Sequence, residues 1–305
     1  MRNAFIQTIG EILKRKKNVM MLNGDAGYKI FKPISTKFHS QYINCGIAEA
    51  NMITMATGLA KSGFIPFTYA IGAHLVYRAF EQIRNDVCLN KANVKIVSGG
   101  TGLHYADHGP THHSTEDISI LNSIPNITIF SPSSPYEVSE MTKEAVKIKG
   151  PIYMRIGRGF SVKTKKRFDL KTNRIVKNGK DGVIICTGPT VVIAYNISQM
   201  LLKKYKFDLG VFNVHTIKPL EKKTIINIAK KTKKVFIIEE HQMNGGLRDI
   251  ISNVIVSNKI HLKKFLAFGI NDQFCSYNGT YEGIKKKYIL SENQISKKIL
   301  KNLKK

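Results

Sequence analysis

One carboxylate, a run of histidines and two strand-end arginines are the side chains in this sequence best suited to chemistry. Glu49 lies in Asn44-Cys45-Gly46-Ile47-Ala48-Glu49-Ala50-Asn51-Met52, which runs on into Met55-Ala56-Thr57-Gly58-Leu59-Ala60. A strand delivers the chain to Gly46, and the carboxylate then falls in the first turn of a small-residue helix. Two readings of it are open. An acid near a helix N-terminus complements the dipole, whereas a carboxyl held in an apolar pocket can exchange a proton with a ligand. His104, His108, His112 and His113 fall within one loop rich in glycine and histidine, Gly99 to Ser114, with Asp107 among them. Their spacing lets the rings converge for hydrogen bonds to hydroxyls, for proton transfer or around a metal. No cysteine or paired carboxylate completes a zinc pattern, so no metal ligand is assigned. Arg155 and Arg158 follow a strand end, and planar guanidinium donors suit a phosphate; a surface salt bridge is the alternative. Lys29 and His39 are expected in loops between the first two strands, where substrate contacts occur.

The elements that must position these groups belong to a chain of 305 residues, long enough for two domains. With 43% hydrophobic and 23% charged residues, the composition is that of a globular protein. No apolar run approaches the roughly 20 residues that cross a bilayer, and Met1-Arg2-Asn3-Ala4 leads into an amphipathic pattern. A cytoplasmic protein is expected, and four scattered cysteines without a C-x-x-C pair agree with a reducing compartment. The net charge of +27 invites a nucleic-acid reading. Against it, only nine of the 48 basic residues are arginine and the lysines are dispersed; dedicated phosphate and base readers favour arginine. Neither nucleic acid nor membrane is expected as a partner.

Periodicity alternates in a way that predicts βαβ units. Strands are expected at Val19–Leu22, Tyr42–Asn44, Phe64–Tyr69, Val94–Val97, Ile127–Phe130 and Ile152–Met154, with helices at Ile6–Leu13, Ala48–Ala60, Leu75–Val87 and Pro135–Ile148. A second pattern starts at Val183–Gly188 and continues through a helix over Ile193–Leu202, strands over Leu209–Val214 and Val235–Ile238, and a helix over Leu247–Val256. The fold class is therefore α/β, two domains with mainly parallel sheets flanked by helices. The expected division is 1–160, a linker over 161–180, and 181–305.

The run around Glu49 resembles the G-I-A-E-x-x-M helix of the transketolase family. Further stretches fall in the same order: Gly63–Phe67, Arg78–Arg84, Gly109-Pro110-Thr111-His112 with Glu116-Asp117-Ile118, Gly150–Tyr153, Thr216–Leu220, and Glu239-Glu240-His241 with Gly245-Gly246. The resemblance spans nearly the whole chain and implies a pyrimidine-binding domain followed by the family's C-terminal domain. In that family the glutamate hydrogen-bonds N1′ of the aminopyrimidine of thiamine diphosphate, promoting loss of the thiazolium C2 proton; the cofactor carries the hard chemistry. The implied activity is transfer of a two-carbon ketol unit from a ketose to an aldose. The resemblance makes Glu49, His112 and His108 catalytic candidates. It places Ile71, His74 and Tyr77 at the cofactor, and His104, Asp107, His112 and Arg158 at the substrate. His241 is expected at an interface.

Several positions depart from the family pattern. Ile71 and His74 stand where phenylalanines are usual, so ring-on-ring stacking is lost. His108 replaces the loop aspartate and His113 a common glutamine, which implies an unusual sugar substrate or acceptor. The G-D-G…N motif for Mg²⁺ and diphosphate is also absent; Asn23-Gly24-Asp25-Ala26-Gly27 is a near miss, and Mg²⁺ needs oxygen ligands besides the phosphates. A separate N-terminal transketolase subunit carrying that motif is implied, in a heterotetramer. Two other readings stay open: a subunit using a 2-oxoacid donor, as in deoxyxylulose-phosphate synthase or the dehydrogenase beta chain, and a non-catalytic partner subunit.

Overall fold

A computed structural model describes residues 1–157 and 168–304. Its first sheet has seven strands in the order β10-β5-β6-β4-β3-β1-β2. Six come from the first half of the chain: β1 (Val19–Asn23), β2 (Tyr42–Asn44), β3 (Ile65–Ile71), β4 (Lys95–Gly99), β5 (Thr128–Phe130) and β6 (Ile152–Ile156). These six pair in parallel. The all-buried runs of β1, β4 and β6 explain their unbroken apolar character, since helices cover both faces. Helices α1 (Arg2–Arg15) and α6 (Pro135–Lys147) bury Phe5, Ile9, Leu13, Val138 and Met141 in one core cluster with β1 and β6 residues. Helix α3 (Glu49–Lys61) turns Met52, Ile53 and Ala56 into the core on the opposite face.

Between β3 and β4 the expected helix exists but is not a regular one. Two wide-turned π-helical segments, His74–Arg78 and Ile83–Leu89, flank the short α4 (Phe80–Gln82). Such departures from α-helical winding cluster at functional sites. Two elements were not foreseen in this half. Helix α2 (Tyr28–Lys37) fills the supposed loop after β1, and α5 (Asp117–Asn122) follows the histidine loop.

The second sheet has the order β12-β11-β8-β9-β7. Strands β8 (Gly182–Cys186), β9 (Leu209–Asn213), β11 (Lys234–Gln242) and β12 (Lys264–Ile270) are parallel, while β7 (Arg174–Lys177) lies antiparallel on β9. Thus the stretch expected as a linker contains an edge strand. Helices α7 (Thr190–Tyr205), α8 (Lys222–Thr232), α9 (Leu247–Ser257), α10 (Tyr281–Lys287) and α11 (Glu292–Leu303) surround this sheet. Strand β10 (Thr216–Lys218) leaves the second half to add an antiparallel edge to β5 of the first sheet. The halves therefore share a sheet as well as a continuous apolar cluster containing Ile118, Leu121, Ile217, Leu247 and Ile251.

Candidate active site

Gly46 adopts φ of +68° between β2 and α3, a left-handed turn that glycine takes without steric cost. The turn sets Glu49 at the start of α3, where its side chain is buried with 2% exposure. Glu49 is not a solvated helix-end acid. Its Oε2 accepts a hydrogen bond from Arg78 Nη1 at 2.5 Å, a half-exposed guanidinium on the first wide-turned segment. Cys45, just before, is no nucleophile, because burial pushes its thiol up to about 11.

That same segment carries two more contacts. His74 meets His112 edge-on, with ring centroids 4.9 Å apart, and Tyr77 donates to Glu116 Oε2 at 2.5 Å. His112 in turn lies 5.0 Å from the His108 ring, and its Nδ1 is 3.0 Å from the Thr111 hydroxyl. His108 Nδ1 pairs with Asp107 at 2.9 Å. Partial burial, and then the neighbouring His74 and His108, hold the pKa of His112 below the usual imidazole value, with Asp107 opposing. A neutral His112 can therefore accept a proton at neutral pH. His113 is buried, and its pKa is likewise lowered, chiefly by burial.

The second half of the molecule fixes the histidine loop. Gly102 and Ser114 bridge the loop ends, and Leu103 N donates to Glu240 of β11. Gly279 N bonds the Ala106 carbonyl, and Gln242 N bonds that of Thr115. The Tyr281 hydroxyl donates to Glu240, so the loop rests on a buried carboxylate that is itself held. Gly100, with φ of +71°, permits the ring of Tyr105 to lie where a side chain on residue 100 would otherwise stand. Tyr105 packs 5.1 Å from His104 and 5.4 Å from His108.

His104 and Tyr105 also wall a cavity of about 500 Å³ with Arg2, Gln7, Tyr69 and Gly157. Arg2 gave no motif signal, being a lone basic residue at a helix start; only the approach of α1 to the histidine loop brings it there. Arg78 was visible only as one residue of a longer family-like run. Its role depends on the wide turn.

Not every expected site residue assembles here. Ile71 ends β3 two residues before Ala73 and the wide turn, half-buried. Lys29 lies exposed on α2 and His39 exposed on the 3-10 turn before β2. Neither lies in a loop as expected, because α2 and the turn close the gap between β1 and β2. Neither makes any of the contacts above. Arg158 falls outside the described residues. Arg155, with 1% exposure, is neither a phosphate ligand nor a surface salt bridge. Its Nε binds Asp117 at 2.8 and 3.1 Å, and its Nη2 binds the carbonyls of Ser114 and Glu240. It ties the halves together. His241 does the same: Nδ1 donates to the Gln242 carbonyl, while Nε2 accepts from Ile118 N and Ser119 N at the start of α5. The near-miss Asp25 accepts from Asn44, and among the described residues no group of three His, Cys, Asp or Glu could hold a metal ion. No described helix is long and apolar enough to cross a membrane.

Comparison with known proteins agrees with this geometry. The transketolase pyrimidine binding domain family matches residues 1–161, and the transketolase C-terminal domain family matches residues 171–295. A putative transketolase C-terminal section from Methanocaldococcus jannaschii is 33% identical, covering 100% of this chain and 96% of that protein. A subunit of the apulose-4-phosphate transketolase from Phocaeicola vulgatus is 29% identical over 100% of this chain and 97% of its own length. The 1-deoxy-D-xylulose-5-phosphate synthase of Lawsonia intracellularis is 29% identical over 98% of this chain and 47% of its own length. Among solved structures, a split-gene transketolase described as an inactive beta4 tetramer aligns with a TM-score of 0.86 at 27% identity, covering 99% and 97%. Fold and site together define a two-domain α/β protein of the thiamine-diphosphate-dependent class. The chain belongs to the transketolase family, and its relatives of equal length are C-terminal halves of transketolases divided between two chains.

Proposed function

We propose that this chain is the C-terminal subunit of a two-chain ketol transferase, with Glu49 as its essential carboxyl. The observation that carries the reading is a buried glutamate at a helix start, beside the wide-turned segment that bears His74, Tyr77 and Arg78. A buried, hydrogen-bonded carboxyl fits the pyrimidine end of thiamine diphosphate, where it can exchange a proton with N1′. When bound, the cofactor supplies the carbon nucleophile and the electron sink for breaking and making the C–C bond. Ile71 and His74 would flank the pyrimidine. His112, held neutral, would take or return a proton at a sugar hydroxyl, with His108 and Asp107 behind it. Arg2 and Arg158 would hold an anionic end of the sugar in the cavity beside His104. A phosphorylated sugar is the natural candidate, since a similar chain is part of a transketolase for apulose 4-phosphate.

Mg²⁺ and the diphosphate fall to a partner subunit carrying the G-D-G…N motif, since this chain offers no oxygen-rich cluster among its described residues. The active form would be a heterotetramer of two chains of each kind in the cytoplasm. Purifying the chain alone and with such a partner tests this directly. Thiamine diphosphate with Mg²⁺ should bind saturably only to the pair, and chelation should release it. Saturable binding to neither preparation would favour a non-catalytic subunit, a reading that the loss of the stacking phenylalanine at Ile71 supports. The match to deoxyxylulose-phosphate synthases supports a third: turnover with pyruvate, and none with ketose phosphates, would replace ketol transfer by 2-oxoacid chemistry.

A further inference from the structure

Glu49 needs explaining as a buried charge before it is considered as a catalyst. An ionised carboxylate removed from water costs several kcal/mol unless it is paired and hydrogen-bonded. Its stem packs closely: a side chain on Gly24 would begin 3.7 Å from Glu49 Cγ and 3.6 Å from Met52 Cε. Of its two oxygens, Oε2 is taken by Arg78. Oε1 accepts no hydrogen bond from any described residue. Arg78 is half exposed, and its only bond to a described side chain is the one to Glu49. It belongs to the five-residue wide turn whose other polar members hold His112 and Glu116. We infer that Arg78 is the positioning residue of the active carboxyl: it compensates Glu49 and fixes its rotamer, so that Oε1 is the oxygen left to meet the ligand.

This rests on the reading of Glu49 given above and adds a residue that does not itself touch substrate. Because a guanidinium bond to a carboxylate is directional, a bare positive charge should substitute only in part. The test uses Arg78→Gln, Arg78→Lys, Glu49→Gln and the Arg78→Gln/Glu49→Gln pair. In the complex with the partner chain, calorimetry of thiamine diphosphate binding should show Arg78→Gln weakened roughly 10- to 100-fold. Arg78→Lys should recover part of the loss. The double variant should bind no more weakly than Glu49→Gln alone, because the two residues act as one unit. In turnover, kcat should fall while KM for the sugars holds. Unchanged affinity in Arg78→Gln, tighter binding, or losses that add in the double variant would each overturn the inference. A crystal structure of the Arg78→Gln chain alone gives a readout that needs neither cofactor nor partner. Glu49 should leave its present rotamer, and its staying in place would refute the positioning role even if the functional proposal failed.

Discussion

Glu49 and His112 carry opposite electrical demands. Glu49→Gln keeps the shape of the side chain but removes the exchangeable carboxyl proton. Turnover of the assembled pair should fall by about 10²-fold or more, with the melting temperature of the chain nearly unchanged. Loss of folding in that variant would show the carboxyl to be structural. His112 is kept neutral by partial burial and then by two imidazole neighbours. Exchanging one of them, His74→Phe, preserves the ring contact and deletes a like charge, so the pKa of His112 should rise. The acidic limb of the kcat/KM profile should therefore move to higher pH. A profile unmoved, or moved to lower pH, would separate His74 from His112.

Elements decide where these side chains can go. The histidine loop is shaped by a left-handed Gly100, and a methyl group there would strike Tyr105. Gly100→Ala should destabilise the chain by about 1–3 kcal/mol. It should also raise KM for the sugars more than it weakens cofactor binding, since Tyr105 walls the cavity. Equal effects on both would mean that the cavity is not the sugar site. A comparable anchor lies at the far end of β4, where the buried Lys95 gives its ammonium to Asn93 Oδ1 and the carbonyls of Ile148 and Gly150. Lys95→Met strands three acceptors and should cost about 2–3 kcal/mol in denaturant unfolding, with turnover of the surviving folded protein unchanged.

On the scale of the molecule, the two halves are joined by polar knots as well as by packing. Arg155 binds Asp117 of the first half and reaches the Glu240 carbonyl of the second. Arg155→Met leaves Asp117 as an uncompensated buried charge and should cost about 3–5 kcal/mol. Adding Asp117→Asn should return part of that loss. Because β10 sits in the first sheet, both halves should melt in one transition. Two separated transitions in the wild-type chain would argue that the halves fold independently.

The sequence by itself determined the α/β alternation, the helix that presents Glu49 and the family. Apolar periodicity and local motifs carry that information within ten or so residues. It also showed the histidines as one cluster, because they share a loop. It could not show that Arg155 is a buried tie, that β10 crosses to the first sheet or that α2 replaces a loop. Nor did it reveal that Arg2 joins His104 and Tyr105 around a cavity. Those outcomes depend on pairing between residues far apart in the chain, where burial and partner choice are settled by packing rather than by neighbours in sequence. Arg78 shows the difference most simply: a helix-surface cation by spacing, it becomes the counter-charge of Glu49 only because the wide turn and α3 meet in space.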